Sequence, residues 1–171
     1  MSSQPEAGGV AAVVVLAAGA GTRMKSSMSK LLHQVAGRSL LSYAVDAAEG
    51  VHPDRLVVVV GHQREQVEAH LREFAPNVIV AVQERQNGTG DAVRSGLASI
   101  PDVQGEVVVT MGDVPLLSGE TLQALVARHR SNGDAVTILT SLLDDPTGYG
   151  RIVRDPDGVQ VARIVEEKDC T

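Results

Sequence analysis

Ala12-Val-Val-Val-Leu-Ala-Ala-Gly-Ala-Gly-Thr-Arg-Met24 opens as an unbroken aliphatic run and closes on two glycines and a cation. A short β-branched run bounded by turn residues reads as a strand buried on both faces, the composition of a parallel-sheet interior. The same run imitates the apolar centre of a signal peptide. No Lys or Arg precedes it, however, Glu6 does, and it is far too short to span a bilayer. Working outward, similar runs recur at Leu56–Val60, Val78–Val82, Val107–Thr110 and Val136–Leu139. Between them lie amphipathic stretches of helical length at Leu40–Ala48, Glu65–Phe74, Ala92–Ile100 and Thr121–Arg130. This alternation predicts an α/β fold, a Rossmann-like, mostly parallel sheet with helices on both faces joined by right-handed crossovers. After Leu143 the pattern changes. Ile152–Arg154 and Val161–Val165 flank Asp155-Pro-Asp-Gly158, the signature of a β-hairpin near the C-terminus.

Composition bounds the function. With 43% hydrophobic residues and 21% charged residues, the 171-residue chain falls in the globular range. Two Tyr, one Phe and no Trp require an aliphatic core. A net charge of −6 argues against a general nucleic-acid binder, which needs a basic face and often stacking aromatics. No membrane insertion is expected either. The lone Cys170 cannot form an internal disulfide and fits a reducing, cytoplasmic setting. Met1–Gly9 reads as a flexible polar leader, and no linker follows it.

The charge is unevenly placed. Between Ala7 and Val45 there is no Asp or Glu, yet Arg23, Lys25, Lys30 and Arg38 are present, which makes this stretch +4 and leaves −10 for the rest. Most of that charge lies in the connection from Ala17 to Arg38, far longer than the few residues usual for a βα loop. Two readings stand: a solvated loop with scattered cations, or a polyphosphate clamp. In the second, Gly19-Ala-Gly21-Thr22 turns backbone N–H groups toward an anion, Arg23 supplies a planar fork and Lys30 a mobile point charge. A dinucleotide fingerprint would need Gly where Met24 stands, and a P-loop would need Gly-Lys-Ser/Thr; neither is present. Glycines also follow the other strands, on the edge where open α/β sheets bind ligands. There Asp113 ends Val107-Val-Val-Thr-Met-Gly-Asp113, either as a turn residue before Pro115 or as a Mg²⁺ ligand, since Mg²⁺ is often held by one or two carboxylates plus phosphate oxygens. The five His residues show no metal-ligand spacing, and Asp144-Asp145 before Pro146 reads as a turn.

Leu16-Ala-Ala-Gly-Ala-Gly-Thr-Arg-Met24 followed by Lys30 resembles the signature of sugar-nucleotide pyrophosphorylases. Four further segments, in order, narrow the likeness: Gln83 with Asn87-Gly-Thr-Gly90, Met111-Gly-Asp-Val-Pro-Leu116, Asp144-Asp-Pro-Thr-Gly-Tyr-Gly-Arg-Ile152, and Ile164-Val-Glu-Glu-Lys168. From about Val13 onward the chain resembles the uridylyltransferase domain of the bifunctional N-acetylglucosamine-1-phosphate uridyltransferase/glucosamine-1-phosphate acetyltransferase family. The resemblance implies a nucleotide-diphospho-sugar transferase type of fold. It also implies Mg²⁺-dependent transfer of UMP from UTP to N-acetylglucosamine 1-phosphate, giving UDP-N-acetylglucosamine and pyrophosphate for cell-wall precursors. On that analogy Leu16, Ala18 and Gly19 belong to the substrate site, with Ala18 and Gly19 approaching the uridine. Arg23 holds the outgoing phosphates and Lys30 neutralises those at the reacting centre. Gln83, Gly88 and Thr89 read the uracil edge, Asp113 binds Mg²⁺, and Gly148 and Glu166 hold the sugar.

Two positions depart from the family pattern: Ser29 stands where Pro usually precedes the lysine, and Asp91 where His usually follows Gly-Thr-Gly. The resemblance further implies that 10–171 is the N-terminal part of a nucleotidyltransferase domain. The family's Asn ligands to metal and sugar, and the left-handed β-helix through which members trimerise, would then lie past Thr171. Alternative readings are another sugar-phosphate nucleotidyltransferase, using CTP, GTP or dTTP, and a noncatalytic sugar-nucleotide binding module.

Overall fold

The computed structural model describes residues 9–21, 24–158 and 160–170. The chain divides into two compact units, Met1–Gly133 and Asp134–Thr171. In the first, the run around Val13 forms β1 (Ala12–Ala17), buried at every position. A long connection follows. It is not structureless, because Lys30–Leu32 forms a 3-10 turn, and β2 (Gln34–Val35) pairs antiparallel with β3 (Arg38–Ser39) through Ala36 and Gly37, both at positive φ. Helix α1 (Leu40–Glu49) starts where Ser39 accepts a hydrogen bond from the Ser42 N–H. Then come β4 (Leu56–Val60), α2 (Arg64–Phe74), β5 (Ile79–Val82), α3 (Thr89–Ala98), β6 (Val107–Met111) and α4 (Gly119–Asn132).

The four longer strands form one parallel sheet in the order β5-β4-β1-β6, with Val14 opposite Val57 and Ala12 opposite Val107. Alternate side chains of β1 enter opposite cores. Val13, Val15 and Ala17 pack with Leu41, Val67, Leu71 and Leu122 of α1, α2 and α4. Val14, Leu16 and Ala18 pack with Ala92 and Ile100, on the side covered by α3. The sequence-based expectation of helices on both faces therefore holds. Helix α3 lies unusually close to the sheet. A Cβ on Gly96 would stand 2.8 Å from Cγ1 of Val14 and 2.9 Å from Cγ2 of Val59, so glycine is the side chain this contact admits. Among the described residues strand β6 pairs only with β1, and Val109 and Met111 are about half exposed.

In the second unit β7 (Arg151–Arg154) and β8 (Val161–Val165) form the expected antiparallel hairpin, its turn closed by the Gly158 N–H on the Asp155 carbonyl at 2.9 Å. The Asp145 carboxylate accepts from the backbone N–H and hydroxyl of Thr147, bearing out the turn at Pro146. One expectation is corrected. Val136–Leu139 forms no strand, and Val136 is 75% exposed. β-Propensity records how well a residue fits a paired, half-buried surface, and among the described residues this segment has no strand beside it. No helix among the described residues is long and apolar enough to cross a membrane.

Candidate functional site

Because β1, β4, β5 and β6 run parallel, the residues after each strand gather on one edge. Backbone hydrogen bonds join these ends: the Gly112 N–H donates to the Leu16 carbonyl at 2.9 Å, the Gln83 N–H to the Val60 carbonyl at 2.8 Å and the His62 N–H to the Ala18 carbonyl at 3.3 Å. Leu16, Ala18, Gly19, Gln83 and Asp113 thus belong to one contiguous strip.

At its centre the Lys30 ammonium donates to Oδ2 of Asp113 at 2.6 Å, their side chains 24% and 31% exposed. Neither charge is sealed from water. The stem of Lys30 runs beneath the glycine loop. A Cβ on Gly19 would lie 3.6 Å from Lys30 Nζ, and one on Gly21, where φ is +59°, would lie 3.0 Å from Lys30 Cβ and Cγ. The glycines thus make room for the lysine as well as exposing their own backbone. Leu31, fully buried, anchors the turn that carries Lys30.

Three glutamines absent from the sequence-based set hold this loop. The Ser29 N–H donates to Oε1 of Gln66 at 3.1 Å, and the Gln66 and Gln63 amides donate to the Ser27 carbonyl at 3.3 and 2.7 Å. Gln86 donates to the Ala18 carbonyl at 2.9 Å. Each lies shortly after a strand on the ligand edge, the one signal by which sequence could have marked it. Gly61, His62, Gln63, Gln83 and Gln86 also line a cleft of about 410 Å³.

Gln83 is only 6% exposed, and its Nε2 donates to both the Gly88 carbonyl at 3.1 Å and Oδ2 of Asp91 at 3.0 Å. Gly88, at φ +98°, caps α3, and Thr89 is its first residue. The Gln83 amide, and secondarily Arg94, hold the Asp91 carboxyl below the usual carboxylate range against the opposing effect of desolvation.

Arg23 lies outside the described residues. Gly148 and Glu166 belong to the second unit. There a Cβ on Gly148, at φ +85°, would be 3.8 Å from Oε2 of Glu167, and one on Gly150 would be 3.9 Å from Oε2 of Glu166. Among the described residues no group of three or more His, Cys, Asp or Glu is arranged around a metal position. A single carboxylate suits Mg²⁺, which keeps several waters and takes phosphate oxygens as ligands, so Asp113 fits that ion better than one requiring an all-protein cage.

Residues 13–153 match the family of MobA-like NTP transferase domains. The bifunctional protein GlmU of Cutibacterium acnes is 62% identical over 161 residues, 94% of this chain and 38% of that protein. Its namesake from Streptomyces coelicolor is 59% identical over 162 residues, 94% of this chain and 34% of that protein. The chain thus spans little more than a third of the length of these curated relatives. Among solved structures, a nucleotidyl transferase from Methanothermobacter thermautotroptrophicus aligns with a TM-score of 0.60 at 25% identity, covering 70% of this chain and 58% of that one.

Proposed function

The chain belongs to the MobA-like NTP transferase domain family, and from that membership we propose that it takes part in transfer of UMP from UTP to N-acetylglucosamine 1-phosphate in the cytoplasm, yielding UDP-N-acetylglucosamine and pyrophosphate for cell-wall precursors. The observation that carries this reading is the Lys30–Asp113 pair beneath the glycine loop, a cation and a carboxylate side by side on the ligand edge of a parallel sheet.

In the reaction an oxygen of the sugar phosphate attacks the α-phosphorus in line, a new P–O bond forms, and the bond to the β-phosphate oxygen breaks, so that pyrophosphate leaves with its electron pair. The nucleophile is already an anion, and no base is needed. The protein's work is alignment and charge stabilisation. On the family resemblance, Lys30 is assigned to the reacting phosphates and Arg23 to the outgoing ones. The same resemblance assigns Ala18 and Gly19 to the uridine, Gln83, Gly88 and Thr89 to the uracil edge, and Gly148 and Glu166 to the sugar. Asp113 would hold Mg²⁺, which when bound supplies charge neutralisation at the phosphates. In the free protein Asp113 compensates the charge of Lys30.

Calorimetry with UTP, CTP, GTP and dTTP, with and without Mg²⁺, beside pyrophosphate release from UTP and the sugar phosphate, tests this. UTP is expected to bind best, Mg²⁺ to strengthen it, and Asp113→Asn to abolish that strengthening and cut turnover at least about 10²-fold, the scale of losing one preorganised electrostatic group. Preference for another nucleotide, or unaltered Mg²⁺ dependence in Asp113→Asn, overturns the assignment.

A further inference from the structure

The Gln83 amide has two hydrogens on Nε2, and both are committed. One goes to the Gly88 carbonyl and the other to the Asp91 carboxylate. Neither partner can donate, since a carbonyl and an ionised carboxylate are acceptors only. The reversed amide would set Oε1 against two acceptor oxygens, so this orientation is the one the chemistry allows. What remains is Oε1. It takes no hydrogen bond among the described residues, and it is not among their sealed, unpartnered polar atoms. Gln83 therefore offers an incoming base an acceptor and withholds its donor.

We propose that Asp91 is a specificity-determining positioning residue, which fixes the Gln83 amide so that the site selects a base with a ring N–H donor over one with a ring acceptor. Uracil carries N3–H at its pairing edge and can donate to Oε1; cytosine carries a bare N3 there and meets Oε1 lone pair to lone pair. The inference rests on the reading of this edge as a nucleotide site and adds to it what orients the Gln83 amide in this chain, where Asp91 stands in place of the family's usual His. Gly88 alone is a weaker guide than the pair, because a hydrogen bond to an ionised group is roughly twice as strong as one between neutral groups. With Asp91 gone, a modest rotation lets Nε2 turn toward the base. Asp91 does not itself touch the nucleotide in this scheme; it acts through Gln83.

The test is calorimetry of UTP and CTP with Mg²⁺ on the full chain and on Asp91→Ala and Asp91→Asn. In Asp91→Ala, CTP binding is expected to strengthen while UTP binding weakens, with the UTP/CTP ratio falling about tenfold, the scale of one charge-assisted hydrogen bond. In Asp91→Asn, whose Oδ1 still accepts from Nε2, most of the preference is expected to return. Simple structural damage would weaken both nucleotides together. Equal proportional losses, or an unchanged ratio, overturn the role of Asp91 while leaving the nucleotide site intact. An unmutated chain that binds UTP and CTP alike also overturns it. Failure to bind UTP at all overturns the functional reading itself, and this inference with it.

Discussion

Replacing Gly21 by alanine adds one methyl group at the point where the glycine loop crosses the stem of Lys30. Two costs follow from the geometry. At φ +59° an alanine is held in the left-handed region, which costs about 1–2 kcal/mol. The new Cβ also lies 3.0 Å from Cβ and Cγ of Lys30 and 3.1 Å from Cδ, about 0.5 Å inside the ~3.5 Å at which carbon atoms pack comfortably. The lysine backbone cannot easily retreat, because buried Leu31 anchors its turn and Gln66 holds the Ser29 N–H. The displacement therefore passes along the stem to Nζ and its 2.6 Å link to Asp113. A misplacement of 1 Å can cost about 10²-fold in rate, so half of that is expected to cost roughly tenfold. Thermal denaturation followed by circular dichroism is expected to show a loss of about 2–8 °C, at about 2–4 °C per kcal/mol for a chain of this size. Pyrophosphate release measures the second effect. Gly21→Asn separates the two, since asparagine tolerates this backbone region but still carries the Cβ; it should regain most of the stability and none of the rate. An alanine variant with unchanged melting and turnover would refute the account.

Gln66→Ala is expected to weaken UTP binding by freeing the segment before Lys30. In that background Ser29→Pro should restore it, because Ser29 already sits at φ −54°, within the range proline imposes; calorimetry showing additive losses would sink the tethering role of Gln66. Acid is expected to act partly through Glu106, whose carboxyl the hydrogen-bonding Arg130 guanidinium holds below its ordinary value, its charge adding to the effect, against opposing desolvation. A depressed folded value makes this stabilisation complete above the ordinary carboxylate pKa of about 4.3 and lost as pH falls through the folded value. Urea denaturation from pH 7 to pH 3 should accordingly show Glu106→Gln weaker than the parent near neutrality, with the gap closing in acid; a constant gap would be the contrary result.

The parallel strands were legible because burial on both faces removes the need for polar alternation, so Ala12–Ala17 and Leu56–Val60 stand out as aliphatic runs. Lys30 and Asp113 were legible for another reason. One lies in a stretch without acids, and the other follows a strand end at Gly112. Their mutual contact was not, because nothing local to either residue encodes a partner so distant in the chain. Gln63, Gln66 and Gln86 were hidden for the same reason, their role existing only once three loops meet. The β2–β3 pair was missed because Val35-Ala-Gly-Arg38 lacks Asn-Gly or Asp-Gly, the strongest short hairpin signals, although Ala36 and Gly37 adopt positive φ there. Val136–Leu139 failed in the opposite sense, with the right composition and no neighbouring strand among the described residues.

The position of β1 also governs how the chain comes off the ribosome. It is made first among the sheet strands, yet it is the inner strand whose two neighbours are β4 and β6, with Ala12 pairing to Val107. At about 5–20 residues per second, several seconds pass between synthesis of β1 and synthesis of its last partner. During that interval Val13, Val14 and Val15 present an unpaired hydrophobic edge beside an equally apolar β4, the kind of exposed strand on which nascent chains misassociate. Such long-range pairing also slows folding, because loop closure must precede the contacts that reward it. Codon choice, chaperone capture and growth temperature should therefore influence recovery of this protein most strongly while the stretch up to Met111 is being made, and a nascent chain stalled before that strand would expose its most thoroughly buried segment.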